Sequence, residues 1–366
     1  MFSDSFSRNG PGNSAARRCQ RFLSLAYWVI AFSLVAMIQC HAQDNNKIGQ
    51  DPATHLPPHI RRLTYFGERA DWSHDGKRIL FIEKTYGDVF EVEVATGIIR
   101  PVTHHYYHAG YSRALYLSND DILLSGAPTF DPAHAGRSRW NDAELWILDK
   151  SLTKPPVRLG EKCSEGPAVS RTKLRIAWTI GHGQYPERLA NDQSQMWLAD
   201  IEYENGVPHL AHKKLILDNK TLPFRCSLET QNFRPTGETE LTFSAYGYQG
   251  TEVMGLNLET GQVVNYSKAP NEYNEPEGIF PDGQYTLEEC DRQNHKGPGA
   301  VDLWKLKLDG SGQALRLTYF SDSPGYKASN PVVSDDGKWM AFQMAHTADQ
   351  AGVGYGIFVY DLTKAP

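Results

Sequence analysis

One short turn recurs along this chain at a nearly constant interval. Near the C-terminus, Asp335-Asp336-Gly337-Lys338 is followed by apolar Trp339-Met340-Ala341-Phe342 and preceded by Pro331-Val332-Val333-Ser334. Asp-Gly makes a tight turn because glycine accepts a positive φ and aspartate tolerates the neighbouring conformations. The apolar flanks then read as the two strands of a hairpin. The same device stands at Trp72-Ser73-His74-Asp75-Gly76-Lys77, ahead of Arg78-Ile79-Leu80-Phe81, and at Phe280-Pro281-Asp282-Gly283-Gln284-Tyr285. Weaker copies occur at residues 117–123, 169–174 and 234–237. Six copies spaced about 50 residues apart predict a repeat fold, in which each unit buries its faces only against its neighbours.

Each unit also carries a short alternating run with one large side chain at a fixed place: Phe90, Trp146, Trp197, Met254, Trp304 and Phe358. Period-2 alternation indicates a half-buried third strand, and these six are expected in the core between adjacent sheets. Fourth strands follow at 98–103, 156–159, 213–217, 262–266 and 314–319. The fourth strand of the last unit comes from the front of the chain. Arg62-Leu63-Thr64-Tyr65-Phe66 repeats the fourth-strand sequence Arg316-Leu317-Thr318-Tyr319-Phe320, while the final unit stops just after its third strand. The expected architecture is therefore all-β: a six-bladed β-propeller of four-stranded antiparallel blades, closed by an N-terminal strand completing the last blade.

These units resemble the TolB-like (WD40-like) propeller family, whose repeats carry a Ser-Pro-Asp-Gly-Lys turn followed by an apolar strand. The resemblance is carried by residues 72–81, 280–285 and 333–342 and extends over 59–366. It implies a fold more than a function, since such propellers serve as receptors, gates and enzymes. TolB has an α/β domain ahead of its propeller, for which about sixteen residues (43–58, expected to be a flexible lead-in) leave no room. Prolyl oligopeptidase relatives add a hydrolase domain with a Gly-x-Ser-x-Gly elbow, a motif this sequence lacks.

Residues 1–42 have the layout of an export signal: Arg17, Arg18 and Arg21 ahead of an apolar run over 22–38, then Cys40-His41-Ala42. Cleavage, retention as an anchor and lipidation at Cys40 are the three fates it offers, and each implies a periplasmic or secreted protein. The segment carries four Arg and one Asp, so its removal takes the net charge from −6 to −9. An acidic chain argues against nucleic acid, or a membrane beyond the export signal, as partner. Cys163, Cys226 and Cys290 remain; the first two are either a bridge permitted by an oxidising compartment or two buried thiols.

Strand order separates two faces. Turns between first and second strands are short, whereas the connections 125–142, 181–195, 291–301 and 345–355 are long and polar and belong to the other face. Long ordered loops in a compact fold usually carry function, so that face is expected to bind. It gathers histidines: His104, His105 and His108 in one blade connection, and His134, His182, His295 and His346 in loops between second and third strands. Four or five residues before each inner turn stand Arg69, Arg113, Glu165, Gln231, Glu277 and Asn330, at equivalent places around the axis. A polar ring of this kind suits a sugar, a peptide end or ordered water. Tyr246, Tyr273, Glu272 and Glu275 nearby add aromatic faces and carboxylates compatible with carbohydrate. Arg292, beside Asp291, is either half of a structural ion pair or a ligand clamp.

The leading expectation is a recognition module for a protein or glycan, with no cofactor and no assigned catalytic residue. The alternative, by resemblance to the oligogalacturonate lyases, is a metal-dependent carbohydrate-active enzyme. That resemblance implies a divalent metal, Mn or Ca, with His182, His295 and His346 as ligands and Arg113 as the basic residue.

Overall fold

The computed structural model describes residues 50–235, 237–350 and 352–364. The expected export segment lies outside the described residues, as does Thr236 of the 234–237 turn.

The described chain is a β-propeller of antiparallel meanders. β1 (Ile60–Arg62) precedes a first sheet of β2 (Glu68–Trp72), β3 (Arg78–Ile82), β4 (Val89–Glu93) and β5 (Ile99–Pro101). The second contains β6 (Arg113–Tyr116), β7 (Ile122–Gly126), β8 (Glu144–Leu148) and β9 (Val157–Lys162). The third contains β10 (Ala168–Val169), β11 (Arg175–Gly181), β12 (Ser194–Glu204) and β13 (Val207–Asp218). A longer sheet follows: β14 (Ser227–Phe233), β15 (Glu240–Tyr246), β16 (Gly250–Asn257) and β17 (Val263–Asn265), then β18 (Glu272–Ile279), β19 (Tyr285–Cys290), β20 (Asp302–Lys307) and β21 (Ala314–Arg316). The strand pairing between its two meanders is a short parallel contact, Gly250 to Glu272 and Thr251 to Tyr273. In the last sheet β22 (Tyr326–Val333), β23 (Trp339–His346) and β24 (Ile357–Asp361) are extended by β1, with Ile60, Arg61 and Arg62 opposite Tyr360, Val359 and Phe358.

The repeated turn is built as its sequence demands. Asp75 Oδ1 accepts from Ser73 Oγ at 2.7 Å and from Lys77 N at 3.0 Å, and Gly76 takes φ +67°. Asp336 repeats this with Ser334 and Lys338 at the same distances, and Gly337 has φ +72°. In the weaker copy at 117–121, Asp120 takes the left-handed position at φ +68°.

Packing lies between sheets. Trp72, Ile79, Phe81 and Val92 share a cluster with Ala341, Ile357 and Val359, so the first sheet packs on the last. Leu117, Leu123 and Ile147 likewise pack with Ile176, Trp178 and Ala199. Burying such side chains contributes roughly 1.5–3 kcal/mol each. The third-strand positions divide. Met254 and Phe358 are fully buried, whereas Phe90, Trp146, Trp197 and Trp304 are only partly so, which corrects the expectation that all six are core. A polar indole N–H explains three of these. Trp146 Nε1 donates to the Gly126 carbonyl and Trp304 Nε1 to Gln293, while Arg158, Lys213 and Arg292 lie over the Trp146, Trp197 and Trp304 rings. Each ring carries a cation over its face, while Trp146 and Trp197 also pack against the core clusters shared with the neighbouring sheet.

Two further differences have local causes. The fourth strand expected at 213–217 starts at Val207, because Asn205 and Gly206, at φ +52° and +77°, turn the chain back after Glu204. Residues 51–58 are not loose: Asp51 caps a turn at Pro52–Thr54, and Ala53 and Leu56 pack on the cluster holding Phe320 and Tyr360. Cys163, Cys226 and Cys290 are buried free thiols. Among the described residues no helix is long and apolar enough to cross a membrane.

Candidate functional site

The first strands carry the site because most of them bulge. Pairing slips between Glu68 and Asp71, Thr230 and Asn232, Pro276 and Gly278, and Ser329 and Val332. The unpaired residues include Arg69, Gln231, Glu277 and Asn330, and Arg69 and Asn330 take φ +55° and +48°. A bulge re-aims a side chain out of the pleat, and here it turns four of the six expected ring residues toward a shared space. Arg113 begins β6, and Glu165 precedes β10.

Two cavities meet there. One, of about 430 Å³, is lined by Arg69, Arg113, Glu165, Glu277 and Asn330, together with Trp140, Pro298, His346 and Val353 from the long loops. The other, of about 370 Å³, is lined by Arg171, Pro235, Pro281 and Asp335 of the short turns and by Gln231. Arg113, Glu277 and Asn330 line both and form the waist between them.

The wide cavity is crowded with charge. Arg139 binds Glu165 with two nitrogens, Nε at 2.9 Å, and Arg69 also contacts Glu165. Arg113 lies 3.6 Å from Glu277, whose other oxygen accepts from Asn330 Nδ2 at 2.8 Å. Asn330 N donates to Glu289 at 2.7 Å. Burial and the neighbouring Arg113 lower the Arg69 pKa, and burial beside Arg69 brings Arg139 down to about 9. Burial, reinforced by Glu275, raises both Glu229 and Glu289 to about 7; Glu277 is also raised, by burial first, although Arg113 opposes it. Carboxyls that hold a proton near neutrality donate as well as accept hydrogen bonds.

Several residues of this cavity carry no signal in the linear sequence. Arg139 and Trp140 stand on a short helix, α1 (Ala135–Trp140), inside the 125–142 loop, and Trp140 remains half-exposed with Arg139 over its ring. Glu229, Glu289 and Lys327 complete the lining from β14, β19 and β22.

Other expected residues are placed elsewhere. Arg292 lies outside both cavities, donating to Glu272 at 2.8 Å over the Trp304 ring. Asp291 does not pair with it and instead accepts from the backbone N–H groups of Tyr273 and Gly297. The three candidate metal ligands are not brought together. His182 Nδ1 is bonded to the Leu189 carbonyl, His295 sits in its own turn at φ +52°, and only His346, stacked on Tyr355, lines the cavity. Among the described residues no group of three or more His, Cys, Asp or Glu is arranged to hold a metal ion.

Strand topology and the repeated Asp-Gly turn make this a β-propeller of TolB-like build. No protein-family model matches the chain, and no curated protein matches its sequence. Among solved structures it is similar to TolB from Acinetobacter baumannii, at 14% identity and TM-score 0.44, over 81% of this chain and 66% of that one. It is also similar to an oligogalacturonate lyase in complex with manganese, at 12% identity and TM-score 0.49, over 84% and 79% of the two chains. A Mycobacterium tuberculosis puromycin-hydrolysing peptidase matches at 13% identity and TM-score 0.49, over 81% of this chain and 43% of that one. Likeness this low carries no argument about activity, and the fold rests on the strand pairing above.

Proposed function

We propose that this chain is an exported recognition module that binds a glycan in the wide cavity of its long-loop face. The observation that supports this reading is the company Trp140 keeps: a half-exposed indole at the mouth of a cavity holding Tyr246, Tyr273, Glu275, Glu277 and Asn330. Sugars are held by an aromatic face under the ring and by carboxyl and amide groups around the hydroxyls, and this mouth supplies both. The module reading takes residues 1–42 as the signal, a periplasmic or secreted location, and neither nucleic acid nor membrane as partner. It takes the ring as six blades, the long sheet counting as two, with β1 as the closing strand. The β1–β24 register and the cluster shared by first and last sheets support closure.

A glycan array probed with residues 43–366, followed by calorimetry on the retained oligosaccharide, tests the reading. Trp140→Ala is expected to weaken binding about tenfold, the worth of one aromatic contact. Retention of no glycan, or unchanged affinity in the variant, overturns it.

A further inference from the structure

Four side chains on the wall of the wide cavity form a row: Glu229, Tyr246, Glu275, Tyr273. The Tyr246 hydroxyl lies 2.8 Å from Glu229 Oε2 and also contacts Glu275 Oε1. The Tyr273 hydroxyl contacts the other oxygen, Glu275 Oε2. Three oxygen–oxygen contacts at hydrogen-bonding distance need three protons, and the two phenols supply only two. With both carboxyls ionised, one contact would set two lone pairs against each other in a half-buried site. Tyr273 gives its proton to Glu275 Oε2, and Tyr246 gives its own to one of its two carboxyl neighbours. The third proton then belongs to the other carboxyl, and burial favours Glu229 as the one that keeps it and donates to the Tyr246 oxygen.

We infer that Glu229 is a neutral carboxylic acid and Glu275 its carboxylate partner, so that the wide cavity is a proton-linked site. Loss of the Glu229 proton leaves two carboxylates competing for the one Tyr246 hydroxyl, breaks the row and adds a negative charge to the wall. Glu229 faces Tyr246 from β15, Glu275, Glu277 and Tyr273 from β18, Arg113 from β6, Arg69 from β2 and Arg139 from α1. Burial, then the charge of Glu275, raises its pKa to about 7, in the direction the proton count requires, while Tyr246 and the arginines oppose that shift. The proton count stands on the three contacts, and the burial of Glu229 places the proton there. Its consequence for a ligand, weaker binding of an acidic glycan above neutral pH, rests on the function proposed above.

The test needs no ligand. In the infrared spectrum of the wild-type protein at pH 6, subtraction of the Glu229→Gln spectrum should leave one protonated-carboxyl carbonyl band, which disappears as pH rises past neutrality. In Glu275→Gln the neighbouring charge is gone, and the band should vanish at lower pH. Thermal melts give a second reading. A folded-state pKa near 7 against 4.5 unfolded means that wild-type stability falls as pH rises through that window. The Tm advantage of Glu229→Gln should therefore widen from pH 4.5 to 7 and then level off. Absence of the band at pH 6, or a Tm difference flat across the window, overturns the assignment whether or not a glycan is ever found to bind.

Discussion

Arg171 donates from Nε to Asp335 Oδ1 at 2.9 Å, joining two inner turns 164 residues apart in sequence. The same guanidinium donates to the Trp72 carbonyl at 3.0 Å and lies 3.5 Å from Asp71, so one side chain of the third sheet is tied to the first and the last. All three charged groups line the narrow cavity, which places this clasp across the short-turn end of the axis. His74 adds a bond from Nδ1 to Asp335 at 2.8 Å.

Removing the clasp strands a buried charge. Asp71 is only 3% exposed, and apart from Arg171 it accepts from the Tyr116 N–H at 2.7 Å. Arg171→Ala should cost about 2 kcal/mol, because breaking one side of such a pair leaves the partner uncompensated. In Arg171→Ala/Asp71→Asn much of that loss should return. Urea unfolding of the two variants checks this, and equal stability of the single variant and wild type contradicts the clasp.

The clasp should also weaken with rising pH. The bond to Asp335 raises the His74 pKa above 6.5, with burial and Arg171 opposing. A histidine held above its unfolded value stabilises fully below that value, and its contribution fades as pH rises through the folded one. The stability difference between wild type and His74→Ala should be about 1 kcal/mol at pH 5.5 and smaller at pH 9, where only the Leu117 carbonyl bond remains to it. A difference that grows with pH rules out the charged pair.

The pairing of β1 with β24 has its own consequence. Ile60 is buried in the cluster with Phe358 and Tyr360, and Leu63 N donates to the Ile357 carbonyl at 2.8 Å. Ile60→Ala should destabilise by about 3 kcal/mol. A chain beginning at Leu63 leaves the β24 edge open and should self-associate, since an unpaired edge templates another strand. Light scattering of that truncation decides the matter; a monodisperse, equally stable monomer counts against β1 as the closing strand.

What was legible in the sequence follows from which interactions are local. Asp75-Gly76 and Asp336-Gly337 announce their turns because side chain, glycine and strand all lie within six residues. Arg69, Gln231, Glu277 and Asn330 were reachable because a repeat fixes their offset from each turn. The bulges that aim them were not, since a positive φ at Arg69 or Asn330 leaves no mark on residue type. Arg139 and Trp140 were hidden in a loop whose helix forms against other blades. The Glu229–Tyr246–Glu275 row was hidden because its members come from three strands, and only β-sheet geometry sets them side by side.

The join between the two halves of the long sheet gives the last prediction. Only two residue pairs link β16 to β18, so other contacts must hold these meanders together. Arg234 does so with its whole fork. Nε donates to the Gly283 carbonyl at 2.7 Å and Nη2 to the Leu308 carbonyl at 3.0 Å, both on the second meander. Nη1 donates to the Tyr266 hydroxyl at 2.8 Å and to Glu240 at 3.1 Å on the first. A lysine keeps the charge but has one nitrogen on a flexible stem and cannot span both carbonyls and the phenol. Arg234→Lys should therefore lose about 2 kcal/mol, and Tyr266→Phe, which removes one partner and leaves the carbonyl bonds, should lose about 1 kcal/mol. The double variant should fall short of the sum, because Nη1 and the Tyr266 hydroxyl share one bond. Urea unfolding of the three variants measures this, and an Arg234→Lys chain as stable as wild type refutes the guanidinium as the tie.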